Sequence, residues 1–391
     1  MHNCLAIDVA KGKSMVALIS SSGEVLIDPY EVSHTYNDFN LLLKRIKGIN
    51  NISVIMESTG IYHRPVERFF LENNFKIFVI NPIYGKMKKR NLRKTKTDKE
   101  DCYNLANLFF NNRFKQYIKP NQLYLDMNAL SRQYFALEEK SINLKNRFKE
   151  LIYLCFPEYS EIFKQSMMYS NYSLLFIEKF PHADIIKNTR IDYIQNFLKK
   201  NKFRYFKAKA KQIKALSGIS YPAVNKSDEI VNSVSQIARL IRTIQEEVDI
   251  IKNKIILLAK NTKYFETINS IFGIGEFTTA IIIAELGDIN RFNNIKELTA
   301  YCGLDPSIRQ SGKSINVHGP ISKAGNKYMR HILFSSVLTI IKCSAQHNVK
   351  NDIEIYYRKK RNEGKHHYVA TIACTTKLLR KIFALCKQLD K

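Results

Sequence analysis

The sequence predicts an α/β domain at the N-terminal end, a long helical arm, and a mainly helical C-terminal domain. Three observations carry this expectation. Short apolar runs with strand spacing alternate with amphipathic stretches up to Ile80. Two series of apolar residues at unbroken spacings of three and four occupy the middle. Helical stretches punctuated by glycine fill the last third. A length of 391 residues suits two or three domains, with expected bounds 1–122, 123–262 and 263–391.

Cys4–Asp8 starts a strand at once, and Ser14–Ser20 supplies a second after a short turn at Gly12. Ser21-Ser22-Gly23 turns into a third, Glu24–Ile27. Tyr36–Ile46 reads as a helix, Ser53–Met56 as a buried strand running into Glu57, and Ile61–Glu72 as an amphipathic helix. Lys76–Ile80 is the next strand, closed by Asn81-Pro82. Then Lys86, Lys88, Lys89, Arg90, Arg93, Lys94 and Lys96 arrive without an acid among them, before Asp98, Glu100 and Asp101 open another helix. The order βββαβαβα is that of the ribonuclease-H-like fold.

Asp98, Asp101, Leu105 and Leu108 follow at spacings of 3, 4 and 3, which places two carboxylates on the helix stripe that should be buried. Buried carboxylates are costly unless a cation or hydrogen bonds compensate. In this fold Asp8 lies on the central strand, Glu57 ends its neighbour, and the Asp98 helix brings its acids alongside. Paired Mg²⁺ ions about 3.5–4 Å apart need oxygen ligands of this kind for phosphodiester chemistry. Each acid also has a local reading. Thr97 with Glu100 forms a capping box, Asp8 is a turn acid, and Glu57 is a solvated loop end.

The net charge of +27 and pI near 9.7 predict attraction to a polyanion, above all nucleic acid, although the weight of Lys, Asn and Ile also follows gene base composition. Seven scattered cysteines without a C-x-x-C exclude a disulfide framework and a zinc finger. No signal peptide and no membrane-length apolar run is present, so a cytoplasmic protein with no membrane partner is expected.

Ile7-Asp8-Val9-Ala10-Lys11, Met56-Glu57-Ser58-Thr59-Gly60-Ile61-Tyr62 and Lys96-Thr97-Asp98-Lys99-Glu100-Asp101 resemble the three acidic motifs of the DEDD transposases. These are the RuvC-like recombinases of the insertion-sequence 110/1111 family, whose relatives include Piv-type DNA invertases. The resemblance assigns metal-binding and catalytic roles to Asp8, Glu57, Asp98 and Asp101; Cys102 stands where the family usually has alanine.

The middle is helical. Met127, Leu130, Tyr134, Leu137, Ser141, Leu144, Phe148, Leu151 and Cys155 keep heptad spacing, as do Ile230, Val234, Ile237, Ile241, Ile244, Val248, Ile251, Ile255 and Leu258. This predicts a coiled coil, or else two long helices of a bundle, acting as a spacer or dimerisation arm. Between them, Lys199–Lys214 interleaves eight basic residues, Arg204 and Lys207 among them, with Phe203, Tyr205 and Phe206. That pattern fits phosphates and unpaired bases, and equally a solvated helix with one apolar face.

Ile271-Phe272-Gly273-Ile274-Gly275 followed by Phe277–Leu286 reads as a helix-hairpin-helix, with Gly273 and Gly275 allowing backbone amides to approach a phosphate. From Ile268 to Arg330 the chain resembles the family's C-terminal transposase domain, through Ala284-Glu285-Leu286-Gly287-Asp288, Leu298–Pro306, Ser311-Gly312-Lys313 and Ile321–Asn326. Phe272 departs from the usual proline. The resemblance implies that Ser311 is the nucleophile, forming a phosphoserine ester with DNA. Taken alone, Ser311 sits in an ordinary polar turn, and its hydroxyl needs activation. Arg309, Lys313, Lys323 and Arg330 are expected to neutralise phosphate. Family membership further implies Mg²⁺ or Mn²⁺, double-stranded donor and target DNA, a structured guide RNA, and a homo-oligomer, dimeric or tetrameric in the synapse. Alternatives are a Piv-like invertase, a RuvC-like junction nuclease that needs no Ser311, and a sugar-kinase-like ATPase. The last is disfavoured because Asp8-Val9-Ala10-Lys11 lacks the glycine and threonine of such a phosphate loop.

Overall fold

The structure is a computed structural model that describes residues 2–80, 98–112, 114–164, 167–311 and 315–389. It divides into two compact units, Met1–Lys119 and Pro120–Lys391.

The first unit is a five-stranded mixed sheet of β1 (Asn3–Val9), β2 (Lys13–Ser20), β3 (Val25–Ser33), β4 (Ile52–Glu57) and β5 (Lys76–Ile80), in the order β3-β2-β1-β4-β5. The first three strands form an antiparallel meander through short turns. α1 (Tyr36–Ile46) leads into β4, which lies parallel to β1, and α2 (His63–Glu72) crosses from β4 to parallel β5. Leu5, Ile7, Val54, Met56 and Phe70 share one core. On the opposite face Cys4, Ala6, Ala17 and Ile55 pack under α3 (Asp98–Asn111) through Cys102, Leu105 and Ala106. Covered on both sides, β1 and β4 are apolar nearly throughout.

One strand runs further than expected. β3 continues past Asp28-Pro29 to Ser33, with an irregular register against β2. Proline is tolerated there because β3 is an edge strand, and the irregularity absorbs its missing donor.

The second unit is built on two long helices, α4 (Gln122–Cys155) and α10 (Glu229–Lys260), of 34 and 32 residues, or roughly 50 Å each. They pack side by side and antiparallel: the start of α4 and the end of α10 share one core, and their opposite ends share another. Both heptad series face inward. On α10, Val231, Ala238 and Ala259 are buried besides the heptad positions, because that helix also packs on other helices. The buried face is therefore wider than a coiled-coil seam.

Between them come α5 (Tyr159–Ile162), α6 (Asn171–Lys179), α7 (Ala183–Asn188), α8 (Ile191–Lys200) and α9 (Phe206–Ile219), closing over the core around Phe148, Phe156, Phe176 and Ile213. After α10 follow α11 (Phe265–Asn269), α12 (Glu276–Leu286), α13 (Ile295–Tyr301), the ribbon β6 (Pro306–Ser311) and β7 (Ile315–Ile321), then α14 (Lys327–His347), α15 (Asp352–Asn362) and α16 (His367–Gln388). The chain is thus mixed α/β, and no helix among the described residues is long and apolar enough to cross a membrane.

Candidate active site

Strand pleating selects which side chains meet. Asp8 follows Cys4 and Ala6 on the sheet face covered by α3, and Glu57 follows Ser53 and Ile55 on that same face. β1 and β4 run parallel with Ile7 opposite Met56, so Asp8 and Glu57 end adjacent strands side by side. The head of α3 is fixed nearby. Cys102 donates its Sγ–H to the carbonyl of Met15 at 3.2 Å, and Met15 is the residue paired with Asp8 across β2. Asp101 precedes Cys102 on this helix, and Asp98 begins the helix one turn earlier.

The side chain of Asp98 lies outside the described residues. Among those described, no three His, Cys, Asp or Glu groups stand close enough to hold a metal. The donor set itself is all carboxylate oxygen, which suits a hard divalent cation. Lys88, Lys89, Arg90, Arg93, Lys94 and Lys313 also lie outside the described residues.

In the second unit Ser311 ends β6 and pairs with Ile315, and the rest of the expected polar turn, Gly312 and Lys313, lies outside the described residues. The side chains of Arg309 and Ser311 are not among those described. The foot of this ribbon is built in detail. Ser322 N–H donates to the Asp305 carbonyl, Lys323 N–H to Gly303, and Asn326 N–H to Tyr301, at 2.8, 3.1 and 2.7 Å. Gly325 has no room for a side chain: a Cβ would stand 2.5 Å from the Tyr301 carbonyl oxygen. Ser322 Oγ donates to Asp305 Oδ1 at 2.7 Å, tying the two strands of the foot together.

Behind the ribbon lies a carboxylate that sequence reasoning did not single out. Glu285, with a fully buried side chain, accepts from Ser131 Oγ at 2.7 Å, Arg132 Nη2 at 2.7 Å and Asn326 Nδ2 at 2.8 Å. Its carbonyl accepts from Tyr301 at 2.9 Å, and Asn326 Oδ1 caps α14 through Tyr328 and Met329. One residue thus joins α4, α12, α13 and α14. The signal available in the sequence was an acid inside the otherwise apolar run Ile281-Ile282-Ile283-Ala284-Glu285-Leu286.

The remaining candidates divide by position. Gly273 adopts φ +79° with Ile340 of α14 close behind, so its backbone freedom serves packing, while Gly275 is the N-cap of α12. Arg330 is partly buried, with Nη1 donating to the Cys302 carbonyl at 2.7 Å. Lys323 is exposed, as are Arg204 and Lys207.

Comparison with known proteins bears on both units. A DEDD transposase model of IS110 type matches residues 5–157, and the model described as "Transposase IS116/IS110/IS902 family" matches residues 265–351. Together they take in more than half of the chain and reach both Asp8 and Ser311. The chain belongs to the IS110 family of transposases.

Several relatives match this chain over different shares of its length. An insertion element IS110 protein of Streptomyces coelicolor is 27% identical over 31% of this chain and 28% of its own length. The transposase for insertion sequence element IS1111A of Coxiella burnetii is 32% identical over 22% of this chain and 23% of its own length. The pilin gene-inverting protein of Moraxella bovis is 21% identical over 87% of this chain and 81% of its own length. The chain spans less than half the length of the first two curated relatives it matches, at 28% and 42%.

Proposed function

We propose that this chain is a transposase and site-specific recombinase of a mobile element, which cuts and rejoins DNA with an acidic cluster and a serine nucleophile. The observation that carries the reading is the convergence at the carboxyl ends of β1 and β4. Two acids from adjacent strands share a face with the head of an acid-bearing helix, and a side-chain bond beside Asp8 fixes that helix. The strand order and covered sheet support a ribonuclease-H-like, RuvC-like reading of the first domain, taken as 1–122. The long antiparallel helices fit the arm, 123–262, and the ribbon fits the serine-bearing domain, 263–391.

Asp8, Glu57, Asp98 and Asp101 would hold Mg²⁺ or Mn²⁺, which when bound supplies Lewis-acid stabilisation of charge on phosphodiester oxygens. Ser311, at the end of a paired strand, would supply the attacking hydroxyl. Its oxygen bonds the phosphorus, the phosphate–sugar bond breaks, the released strand end takes up a proton, and the serine proton leaves. The phosphoserine ester conserves the bond energy for rejoining. Lys88, Lys89, Arg90, Arg93, Lys94, Arg204, Lys207, Arg309, Lys313, Lys323 and Arg330, with the amides at Gly273 and Gly275, are proposed nucleic-acid contacts. Donor and target duplexes, an element-encoded guide RNA, a homo-oligomer and a cytoplasmic site of action complete the reading.

Inversion of one locus is the second reading, favoured by the long alignment with the pilin gene-inverting protein. The test is a supercoiled plasmid carrying the element's ends, incubated with Mg²⁺ or Mn²⁺ and then digested for phosphopeptide mass spectrometry. A covalent adduct on Ser311 is expected; cleavage without any serine adduct would favour a metal-only junction nuclease.

A further inference from the structure

The helices between α4 and α10 hold a cleft of about 650 Å³ whose lining includes Phe163, Tyr172, Phe203, Tyr205 and Lys209. Tyr172 and Phe203 meet edge to face with centroids 5.3 Å apart. Lys209 Nζ lies 5.1 Å from the Phe163 ring centre, held there by the Ile162 carbonyl and by Gln212 Oε1 at 3.2 Å. The rim is basic. Lys199–Lys214 carries eight cationic residues and no acid. Lys214 is committed to the carbonyls of Ile186, Lys187 and Thr189, whereas Lys199, Lys200, Lys202, Arg204, Lys207 and Lys211 are exposed.

Tyr205 is the feature that folding alone does not explain. It occupies the N-cap of α9, a position that favours Ser, Thr, Asp or Asn. Its side chain caps nothing, its φ is 52°, and it is 85% exposed. A left-handed backbone is unfavourable for an aromatic residue, and such strain concentrates at binding sites.

We propose that this cleft binds an unpaired nucleotide of single-stranded DNA, its base against Tyr205 and the Tyr172–Phe203 wall and its phosphates against Lys202 and Arg204. Aromatic faces accept any base, and cations track the backbone. The inference deepens the proposed function and rests on DNA being the substrate.

The test uses the full chain and a labelled thymidylate oligomer about 15 nucleotides long, followed by fluorescence anisotropy across a salt series. Tyr205→Ala should weaken binding about 10-fold, within a range of roughly 5- to 100-fold, while Tyr205→Phe stays within about twofold of wild type. Duplex binding and the melting curve should not change in Tyr205→Ala. Replacing Lys202 and Arg204 together by Gln should lower the salt slope by about 1.4. Unchanged oligomer binding in Tyr205→Ala, or equal losses on duplex, would overturn the site. A uridylate oligomer bound as tightly as the thymidylate one would overturn the assignment to DNA. Asp98→Ala should retain full oligomer binding while losing cleavage. Failure of the cleft therefore shows in binding, and failure of the recombinase reading shows in cleavage.

Discussion

Ser311 and Ser322 bracket the same ribbon, and their surroundings set different expectations. Ser322 Oγ is engaged by Asp305 at 2.7 Å, in a foot where three amides already bond across the strands. A hydroxyl used in this way holds structure. Ser311 stands at the far end of β6. Ser311→Ala should eliminate covalent protein–DNA adducts and keep DNA binding, whereas Ser322→Ala should only slow the reaction; adduct mapping by mass spectrometry checks both. An adduct on Ser322 would reverse the assignment. The acids give a second residue-scale expectation. Alanine at Asp8, Glu57, Asp98 or Asp101 should each reduce cleavage by about 100-fold or more, with DNA binding within about twofold, because a bound cation stabilises transition-state charge by several kcal/mol. Chelation by EDTA should act in the same way. Normal cleavage by Asp98→Ala and Asp101→Ala would return those acids to capping the helix. Glu285 belongs to stability instead. Glu285→Ala removes the carboxylate that Arg132, Ser131 and Asn326 share and should cost about 2 kcal/mol, since the buried Ser131 hydroxyl loses its acceptor while Asn326 keeps Tyr301 and Arg132 reaches solvent. Thermal unfolding would measure it.

At the level of elements, α2 carries a pH response. His63 is buried with Nε2 3.7 Å from Glu67, and burial first, then Arg64, lowers its pKa, while Glu67 acts in the opposite direction. A histidine held neutral in the fold binds fewer protons than in the unfolded chain. Its contribution is therefore intact above about pH 6.5 and is lost as pH falls below that value. The urea midpoint for Met1–Lys119 should drop between about pH 7 and pH 5.5, and His63→Gln should flatten the response. The elements also show what a sequence reveals. α1 and β5 fall at their expected bounds because each carries the period of its type between clear turns. The acids are legible as strand-end and helix-head residues. β6 is not legible: Pro306-Ser307-Ile308-Arg309-Gln310-Ser311 has one large apolar residue and no alternation, so only its pairing with β7 makes it a strand. The second half of β3 hides behind Pro29, and Glu285 hides because a lone acid in an apolar run gives no hint of three partners from distant segments. The helices from α5 to α9 are short, and their packing against the long pair, more than their own period, defines them.

For the molecule as a whole, the arm bears on assembly. A heptad series in isolation invites a second chain, yet here each series faces the other within one chain. Leu144→Glu should therefore act as a core substitution, lowering the melting point of the arm by placing a charge against the Phe148–Ile241 core. The pull toward assembly has another source. On the proposed reading each chain would supply one set of acids and one Ser311, whereas recombination must break and rejoin two DNA partners, so at least two chains would have to act together. The net charge of +27 opposes their association in the absence of a polyanion, because self-repulsion of this size disfavours contact between copies. DNA removes that barrier by neutralising the cationic surface. The expected outcome is an oligomer that forms or tightens on DNA and loosens as salt screens the DNA contacts. Multi-angle light scattering, with and without a duplex carrying the element's end, would read it directly. A mass of one chain in both conditions would sink the assembly. A dimer that survives Leu144→Glu while the melting point falls would separate the interface from the arm.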